Sequence, residues 1–456
     1  MSRKMRMPVM MRVLRSQGGI RYTSSITLRI HLLAILFHTM ISLRKYGMMN
    51  YMRTSFTPLG NILMSALLCV IIGIPLAFYL VNYKKTDSGP TRTSSFSLTP
   101  AKPVAKTVSL GFVGDIIVHT PMARAARNSD GLYDFTTMFS RIKTYTEAPD
   151  IMIGNLETPV TGDGTLSGYP NFDAPVELID ALGAIGFDSL QITNNHSLDQ
   201  GTKGLETTIQ NVQSRGLTPI GGSLFESMAY TPVIQSKNGI SVAFIAATFG
   251  FNGYQLPADK SHLANLIDVE KLTESIKSAR SQGAEVVIVM PHFGIEYERT
   301  PNEDQKKLVD ALVLAGADVI IGTHPHVVQP VEERVGADGK KVIIAYSLGN
   351  FISNQQDKYT DLELMINLTY ERDPTTNRVS LKEYKKIPLY VHKYKTDGKN
   401  FFEVVPLTEA LASAKLTPED IARIQDYNNI MNTQFEPATK VPTPPDAQTV
   451  ETIKAL

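Results

Sequence analysis

From Val108 onward the chain alternates short apolar runs with amphipathic stretches, and this alternation constrains the fold more than any other feature of the sequence. Short apolar runs are typical of buried strands, whereas the stretches between them have the spacing of helices. The predicted strands are 108–113, 151–153, 189–193, 242–246, 286–290, 319–321 and 342–346. The predicted helices are 175–185, 203–215, 269–281 and 304–315, each with a glycine at or just beyond its end. Repeated βα units of this kind predict an α/β fold.

Beyond Phe351 the pattern changes to alternating segments that are typical of strands. The predicted strands here are 362–370, 379–388 and 401–405. Residues 417–433 are predicted to be helical, because Thr417 can cap a helix that begins with Pro418. The proline-rich tail from Pro437 is predicted to be disordered. We therefore expect one large domain over 107–408, followed by a C-terminal helix and tail over 409–456.

Residues 62–81 form an uncharged apolar segment that is long enough to cross the roughly 30 Å hydrocarbon core of a bilayer. Basic residues precede this segment, so the positive-inside rule predicts a single-pass anchor with residues 1–61 in the cytoplasm. Residues 82–106 are rich in Ser, Thr, Pro and Lys and are predicted to be a linker. The sequence thus predicts a cell-membrane protein whose large domain is extracellular. A cleaved signal peptide is the alternative, although no small-residue cleavage motif follows the segment.

The N-terminal segment leaves two further alternatives open, one for the start of the chain and one for the membrane topology. Met48, Met49 and Met52 are alternative starts that would leave a shorter cytoplasmic segment before the anchor. If the apolar run at 30–41 also crossed the membrane, the large domain would lie in the cytoplasm instead.

Charge and cysteine content exclude several functional classes. Residues 1–81 contain ten of the 45 basic residues and none of the 44 acidic residues, so the remainder of the chain is mildly acidic. A nucleic-acid-binding domain needs a basic face, so we expect no nucleic-acid partner. Cys69 is the single cysteine, which excludes an internal disulfide and a cysteine-based zinc site.

Polar side chains recur where the predicted strands end. In open α/β sheets the carboxyl ends of the strands border the ligand crevice, so these side chains should meet at one edge. Each alone has a structural explanation, because Asp115 and Asn195 could cap helices and His292 could be a hydrogen-bonded surface residue. Their clustering favours a divalent metal site, and a mixture of imidazole, carboxylate and amide groups suits Mn²⁺, Zn²⁺ or Fe²⁺. The polar residues at strand ends are Asp115, His119, Glu157, Asn194, Asn195, His196, His292, His324, His326 and Asn350.

Several long motifs in fixed order resemble the CapA family of capsule and poly-γ-glutamate synthesis proteins. They read FVGD, GNLETPVTG, NNHSLDQG, PHFGIEYERTPNEDQ, AGADVIIGTHPHVVQP and YSLGNF, and they span Phe112 to Phe351. The resemblance implies a membrane-anchored protein that handles poly-γ-glutamate or a related polymer beside membrane-bound polyglutamate synthase subunits. The family in turn resembles calcineurin-like metallophosphoesterases. That likeness implies a metallophosphatase-like four-layer α/β/β/α sandwich, here preceded by one N-terminal transmembrane helix.

The metallophosphoesterase likeness also implies roles for individual residues. It assigns Asp115 and His326 to a first metal, Asn195, His292 and His324 to a second, and Glu157 to a bridge between them. His196 would protonate the leaving oxygen, and the further candidates are His119, Asn194, Glu296 and Asn350. The chain departs from the pattern at Ile117, where a metal-binding histidine is usual, and at Glu157, where an aspartate is usual.

The sequence leaves three functions open. The first is a non-catalytic or weakly catalytic component of poly-γ-glutamate biosynthesis and export at the outer face of the membrane. The second is a metal-dependent hydrolase of phosphoester bonds or of the polymer's amide bonds. The third is a structural scaffold, which would explain the anchor but not the clustered histidines.

Overall fold

The computed structural model describes residues 105–336, 338–412 and 415–434. The predicted cytoplasmic segment 1–61, the predicted anchor 62–81, most of the predicted linker and the tail beyond 434 lie outside these residues. Within the described ranges, no helix has the length and apolar character needed to cross a bilayer.

The described chain begins with a strand and then alternates strands and helices. In chain order the strands are β1 (Lys106–Ile116), β2 (Ile151–Leu156), β3 (Ser189–Gln191), β4 (Thr218–Ile220), β5 (Val233–Lys237), β6 (Ile240–Thr248), β7 (Val286–His292), β8 (Val319–Ile321), β9 (Val331–Val335), β10 (Lys341–Ala345), β11 (Asn350–Ile352), β12 (Leu362–Arg372), β13 (Val379–Thr396) and β14 (Lys399–Pro406). The α-helices are α1 (Thr120–Ala126), α2 (Thr136–Phe139), α3 (Lys143–Thr146), α4 (Glu177–Ala184), α5 (Gly201–Ser214), α6 (Val269–Ser281), α7 (Glu303–Ala315), α8 (Leu407–Ala410) and α9 (Pro418–Gln434). Short 3₁₀ turns occupy Glu226–Met228 and Ala258–Leu263.

The strands form two mixed sheets. The first has the order β14-β13-β12-β1-β2-β3-β4, and β11 also pairs with β1. The second has the order β5-β6-β7-β8-β10-β9. Strands β1 to β4 are mutually parallel, as are β6, β7 and β8, whereas β12, β13 and β14 add antiparallel partners.

The two sheets pack face to face and helices cover their outer faces. Phe112 of β1 and Phe244 of β6 belong to the core between the sheets, where their ring centroids are 6.5 Å apart. Helices α1, α4 and α5 pack on the other face of the first sheet, and α6 and α7 on that of the second. Each fully buried Leu, Ile or Phe side chain stabilises such a core by about 1.5–3 kcal/mol. The layers therefore run helix, sheet, sheet, helix, and the strands form a rigid support for the loops at their ends.

The predicted strands and helices are all present; most ends differ by a few residues, and β13 extends eight residues beyond the predicted end at 388. The predicted helix 417–433 is α9, whose Ile424 and Tyr427 are fully buried against the core between the sheets. The strands β4, β5, β9 and β11 and the short helices α1, α2, α3 and α8 were not predicted. They are too short or too polar to show an apolar period, and β4 contains Pro219, which disfavours a strand.

Candidate metal centre

Asp115 is the penultimate residue of β1 and follows a tightly packed glycine. A Cβ atom added at Gly114 would lie 1.8 Å from the Gly349 carbonyl oxygen, so only glycine fits before Asp115. The Asp115 carboxylate is fully buried, and its Oδ1 accepts a hydrogen bond from Asn155 Nδ2 at 2.8 Å. Its Oδ2 accepts from the His324 backbone N–H at 3.2 Å and lies 3.1 Å from His326 Nδ1. The end of β1 thus presents a carboxylate to residues of both sheets.

Glu157, which follows β2, lies at the centre of the cluster. Its side chain is fully buried, and its Oε1 has no hydrogen-bond partner among the described residues. This oxygen is 3.5 Å from His292 Nε2 and 3.8 Å from His326 Nε2. Burial, followed by the negative charge of Asp115, raises the pKa of Glu157 well above its usual range. A cation beside Oε1 would reverse this effect, because it would favour the charged carboxylate.

His292, at the end of β7, is held by contacts at both ring nitrogens. Nδ1 lies 2.9 Å from Thr323 Oγ1, and Nε2 lies 2.8 Å from Asn195 Oδ1. Burial lowers the pKa of His292 well below 6.5, and the neighbouring His324 and His326 add to this effect. A neutral imidazole is the form that binds metal ions, so burial prepares His292 for coordination.

His324 and His326 follow β8 in an uncommon backbone conformation. Their backbone φ angles are 104° and 60°, values that residues other than glycine rarely adopt. Strained residues of this kind are concentrated at functional sites. The turn brings the His324 ring to a centroid distance of 4.8 Å from the His292 ring. His324 Nδ1 is buried without a partner among the described residues, and burial lowers the pKa of His324 to about 3.

The ligand-type atoms form three overlapping groups in which all members lie within 4.8 Å of one another. Glu157 belongs to two of these groups, as expected for a carboxylate that could contact two ions. The groups are Glu157, His292 and His324; Asp115, Glu157 and His326; and Glu296, His324 and His326.

His196 lies beside this cluster and is oriented by a buried carboxylate. Its Nδ1 is 2.7 Å from Asp199 Oδ2, which also accepts the backbone N–H of Phe172 at 2.8 Å. Because the carboxylate accepts, the Nδ1 proton of His196 points to Asp199 and Nε2 is left for other partners. The Phe172 ring packs edge-on against His196 at 4.7 Å and fixes the plane of the imidazole.

The four further candidates occupy different positions. Asn194 Nδ2 donates to Asn155 Oδ1 at 3.2 Å, and Asn350 Oδ1 lies 3.1 Å from His326 Nδ1. Glu296 Oε1 is half-exposed and 4.0 Å from His326 Nε2. His119 belongs to none of the three groups, because its Nδ1 accepts the Asn354 N–H at 3.2 Å. Burial, with a smaller contribution from Lys393, lowers the pKa of His119 to about 4.

Sequence reasoning missed Asn155, Asp199 and Glu363. Asn155 Nδ2 contacts two carboxylates of the cluster, at 2.8 Å from Asp115 Oδ1 and 3.4 Å from Glu157 Oε2. Its position at the end of β2, two residues before Glu157, was a signal that could have identified it. Glu363 accepts the Gly114 N–H at 2.7 Å and thereby supports Asp115 from behind. It lies within β12, where no motif distinguishes it from other strand residues.

Comparison with known proteins identifies the family. A family model described as bacterial capsule synthesis protein PGA_cap matches residues 109–355. The PGA biosynthesis protein CapA of Bacillus subtilis (strain 168) is 30% identical over 300 residues, covering 63% of this chain and 72% of that protein. The capsule biosynthesis protein CapA of Bacillus anthracis is 31% identical over 258 residues, covering 54% of this chain and 60% of that protein.

Among solved structures, the calcineurin-like phosphoesterase YfkN from Bacillus subtilis aligns with 77% of this chain and 100% of that chain. The TM-score is 0.38 and the sequence identity 17%, so we interpret the site from its own residues. The segment matched by the family model is more than half of the chain and contains every member of the three ligand groups. The chain therefore belongs to the PGA_cap family of bacterial capsule synthesis proteins.

Proposed function

We propose that this protein takes part in the assembly of poly-γ-glutamate at the cell surface, and that its α/β domain is a metal-dependent hydrolase. The pathway is supported by membership of the capsule synthesis family and by similarity to the PGA biosynthesis protein CapA of Bacillus subtilis. The hydrolase is supported by one observation: the buried Glu157 carboxylate lies between three histidines, and its Oε1 has no hydrogen-bond partner in the part of the chain that the structure describes.

The residues of the cluster fit a divalent ion. Buried polar atoms nearly always have a hydrogen-bond partner, yet Glu157 Oε1 and His324 Nδ1 have none among the described residues. Both atoms can donate a lone pair to a metal. The donor set of carboxylates, imidazoles and an amide oxygen is one that Mn²⁺, Zn²⁺ and Fe²⁺ accept.

Two sets of residues would hold such ions. Glu157, His292 and His324 form one set, to which Asn195 Oδ1 is adjacent, and Asp115, Glu157 and His326 form the other. When bound there, divalent ions supply Lewis-acid chemistry to a phosphoester or amide bond. Asn155 fixes the separation of the two carboxylates, and Thr323 fixes the ring of His292.

His196 would serve as the proton donor to the leaving group. Its Nδ1 proton is committed to Asp199, so the proton available to a substrate is the one on Nε2. The buried Asp199 carboxylate holds the orientation of the imidazole, as an aspartate does in other histidine-based acids and bases. The phosphoester and the amide bond of the polymer both have a leaving atom that needs this proton.

The first prediction concerns the polymer. Deleting the gene in a strain that makes poly-γ-glutamate, and that has no second protein of this family, should lower both cell-bound and released polymer severalfold. The amount is measured as glutamate after acid hydrolysis of the purified polymer. Reintroducing the full-length gene should restore it, and unchanged polymer in the deletion strain would refute the pathway.

The second prediction concerns membrane topology, and it follows from the basic residues before the apolar segment 62–81. We propose that residues 1–61 are cytoplasmic and that the domain from residue 107 onward is extracellular. Protease added to intact protoplasts should then digest the domain, whereas a cytoplasmic control protein stays intact. A domain that resists digestion until the membrane is broken would place it inside the cell.

A further inference from the structure

The loop that follows β6 contacts two of the candidate ligands of the metal centre. At its start the Phe249 N–H donates to the His292 carbonyl oxygen at 3.1 Å. Three residues later, Asn252 Oδ1 accepts a hydrogen bond from Asn195 Nδ2 at 3.1 Å. These two candidate ligands also contact each other, because Asn195 Oδ1 lies 2.8 Å from His292 Nε2. The loop therefore holds both members of a pair that would bind the same ion.

Asn252 lies in a tight turn whose backbone is left-handed. Its φ angle is 49° and that of Gly253 is 86°, and the Tyr254 N–H donates to the Phe251 carbonyl oxygen at 2.8 Å. Two successive positive φ angles are those of a type I′ turn, for which Asn-Gly is a preferred sequence. Phe251 is buried in the core on the helix-covered face of the first sheet. The turn is thus anchored to the core directly beside Asn252.

A second Asn-Gly turn in the chain shows the ordinary structural role of this sequence. Asn238 and Gly239 join β5 to β6 in a two-residue hairpin, with φ angles of 54° and 79°. The Asn252 turn closes no hairpin, since the chain continues through a 3₁₀ turn and α6 before it reaches β7. Hairpin formation therefore explains Asn238 but does not explain Asn252.

The contact with Asn252 decides which end of the Asn195 amide faces the cluster. An amide has an oxygen that accepts and a nitrogen that donates, and the oxygen is the end that binds cations. Because the nitrogen is engaged by Asn252, the oxygen is directed at His292, whose Nε2 is 3.5 Å from Glu157 Oε1. A reversed amide would direct N–H groups to the same place, and an N–H group cannot coordinate an ion.

Burial makes this contact important for Asn195. The Asn195 side chain is 1% exposed, and a buried amide nitrogen needs a hydrogen-bond acceptor. Asn252 supplies that acceptor from an exposed turn. Without the Asn252 side chain, Asn195 Nδ2 would lose this partner, and the orientation with the nitrogen outward would lose its advantage over the reversed one.

We propose that Asn252 is a positioning residue for the metal centre. It accepts a hydrogen bond from the Asn195 amide and thereby keeps the Asn195 oxygen directed at the ion that His292 and Glu157 would hold. This inference rests on the proposed metal-dependent function, and it adds to the candidate ligands a residue from a separate loop. Replacing a partner that orients a metal ligand typically lowers metal affinity by about tenfold to a hundredfold.

Calorimetric titration of the metal-free, full-length protein with Mn²⁺ tests the proposal. The change Asn252→Gly removes the acceptor without straining the turn, because glycine readily adopts a positive φ. It should raise the dissociation constant of one equivalent of Mn²⁺ by about tenfold or more. The change Asn252→Asp keeps an acceptor oxygen, and aspartate tolerates this backbone conformation. The aspartate variant should therefore bind Mn²⁺ at least as tightly as the wild type.

Asn238→Gly is the matched control, because it removes an asparagine side chain from the other Asn-Gly turn. The Asn238 side chain donates to the Thr107 carbonyl oxygen at 2.9 Å and to Asp150 Oδ1 at 3.2 Å, and neither group belongs to the metal centre. This control should lose a surface contact of the same kind and keep the Mn²⁺ affinity of the wild type.

Three results would overturn the role of Asn252 and leave the proposed function standing. They are wild-type Mn²⁺ affinity in Asn252→Gly, an equal loss of affinity in Asn238→Gly, and a loss in Asn252→Asp as large as that in Asn252→Gly. A wild-type protein that binds no Mn²⁺ would overturn both the role of Asn252 and the metal-dependent function. The two failures are therefore distinguishable in one series of titrations.

Discussion

Replacing His292 and His324 together with alanine is expected to remove about one equivalent of bound Mn²⁺ or Zn²⁺ from the full-length protein. Both imidazoles belong to the same ligand group, and His292 Nε2 is 3.5 Å from Glu157 Oε1. Without them that group retains only Glu157, and a single carboxylate does not hold a transition metal tightly. His326 and Asp115 remain, so the second set of ligands should keep its ion.

The same double change should lower stability only when metal is present. An ion that binds the folded protein alone stabilises it by about 2.7 kcal/mol at a concentration one hundred times its dissociation constant. This contribution is lost in the variant, so its melting temperature should respond less to added metal than that of the wild type. Hydrolysis of a generic phosphodiester should fall by more than about a hundredfold.

Metal content is measured by mass spectrometry after the protein has been loaded with Mn²⁺ or Zn²⁺ and washed free of unbound metal. The melting temperature is measured by differential scanning calorimetry, once with metal and once with chelator. His392→Ala is the matched control, because His392 is also buried, lies on β13 and belongs to none of the three ligand groups. This control should lose stability equally in both buffers and keep its metal. A wild-type protein that holds no stoichiometric metal would refute the metal centre, and the cleft would then be a polar binding site.

The apolar pattern of the sequence predicted an α/β fold, and the family resemblance added the sandwich of two sheets between helices. Strand β7 is buried on both faces, and its residues 286–290 therefore appear as an uninterrupted apolar run. Parallel strands end at the same edge, so Asp115, Glu157 and His292 could be expected to meet. The structure places Asp115 Oδ2 3.1 Å from His326 Nδ1, although the two residues come from different sheets.

What the sequence did not predict depends on contacts between distant segments. Asp199 is an exception, because it lies only three residues after His196 in the same loop, where its Oδ2 is 2.7 Å from His196 Nδ1. Glu363 reaches the Gly114 N–H because β12 pairs with β1, and no local pattern encodes that pairing. Ile117 and His119 are similar cases. Ile117 is buried and apolar, while His119 turns towards Asn354, so neither completes a ligand group.

Changing Glu157 to Gln is expected to have opposite effects on stability in the presence and absence of metal. In the metal-free protein the pKa of Glu157 is well above its usual range, so the folded state binds a proton that the unfolded state has already released. Stability is then fully present below the unfolded pKa of about 4.3 and falls as pH rises towards the folded pKa. The amide that replaces the carboxyl group in Glu157→Gln has no proton to lose, so the variant should not show this fall.

Each pH unit across that window should change the difference between wild type and variant by about 1.4 kcal/mol. The lowered pKa values of His292 and His324 destabilise the folded state as pH falls below about 6.5. This effect is the same in the wild type and in the variant, so it cancels in the difference between their free energies of unfolding. In chelator at pH 8 the Glu157→Gln variant should therefore be at least as stable as the wild type.

With Mn²⁺ or Zn²⁺ the order should reverse, because ionised Glu157 contributes to two ligand groups and glutamine cannot supply its charge. Metal binding to the wild type should also release a proton near neutral pH, detectable as buffer-dependent heat in calorimetry, and the variant should release less. Glu363→Gln is the matched control, since burial likewise raises the pKa of Glu363, yet Glu363 belongs to no ligand group. It should match Glu157→Gln in chelator while keeping the stabilisation by metal. If Glu157→Gln is stabilised by metal as strongly as the wild type, Glu157 does not bind the ion, and the unpaired Oε1 needs another partner.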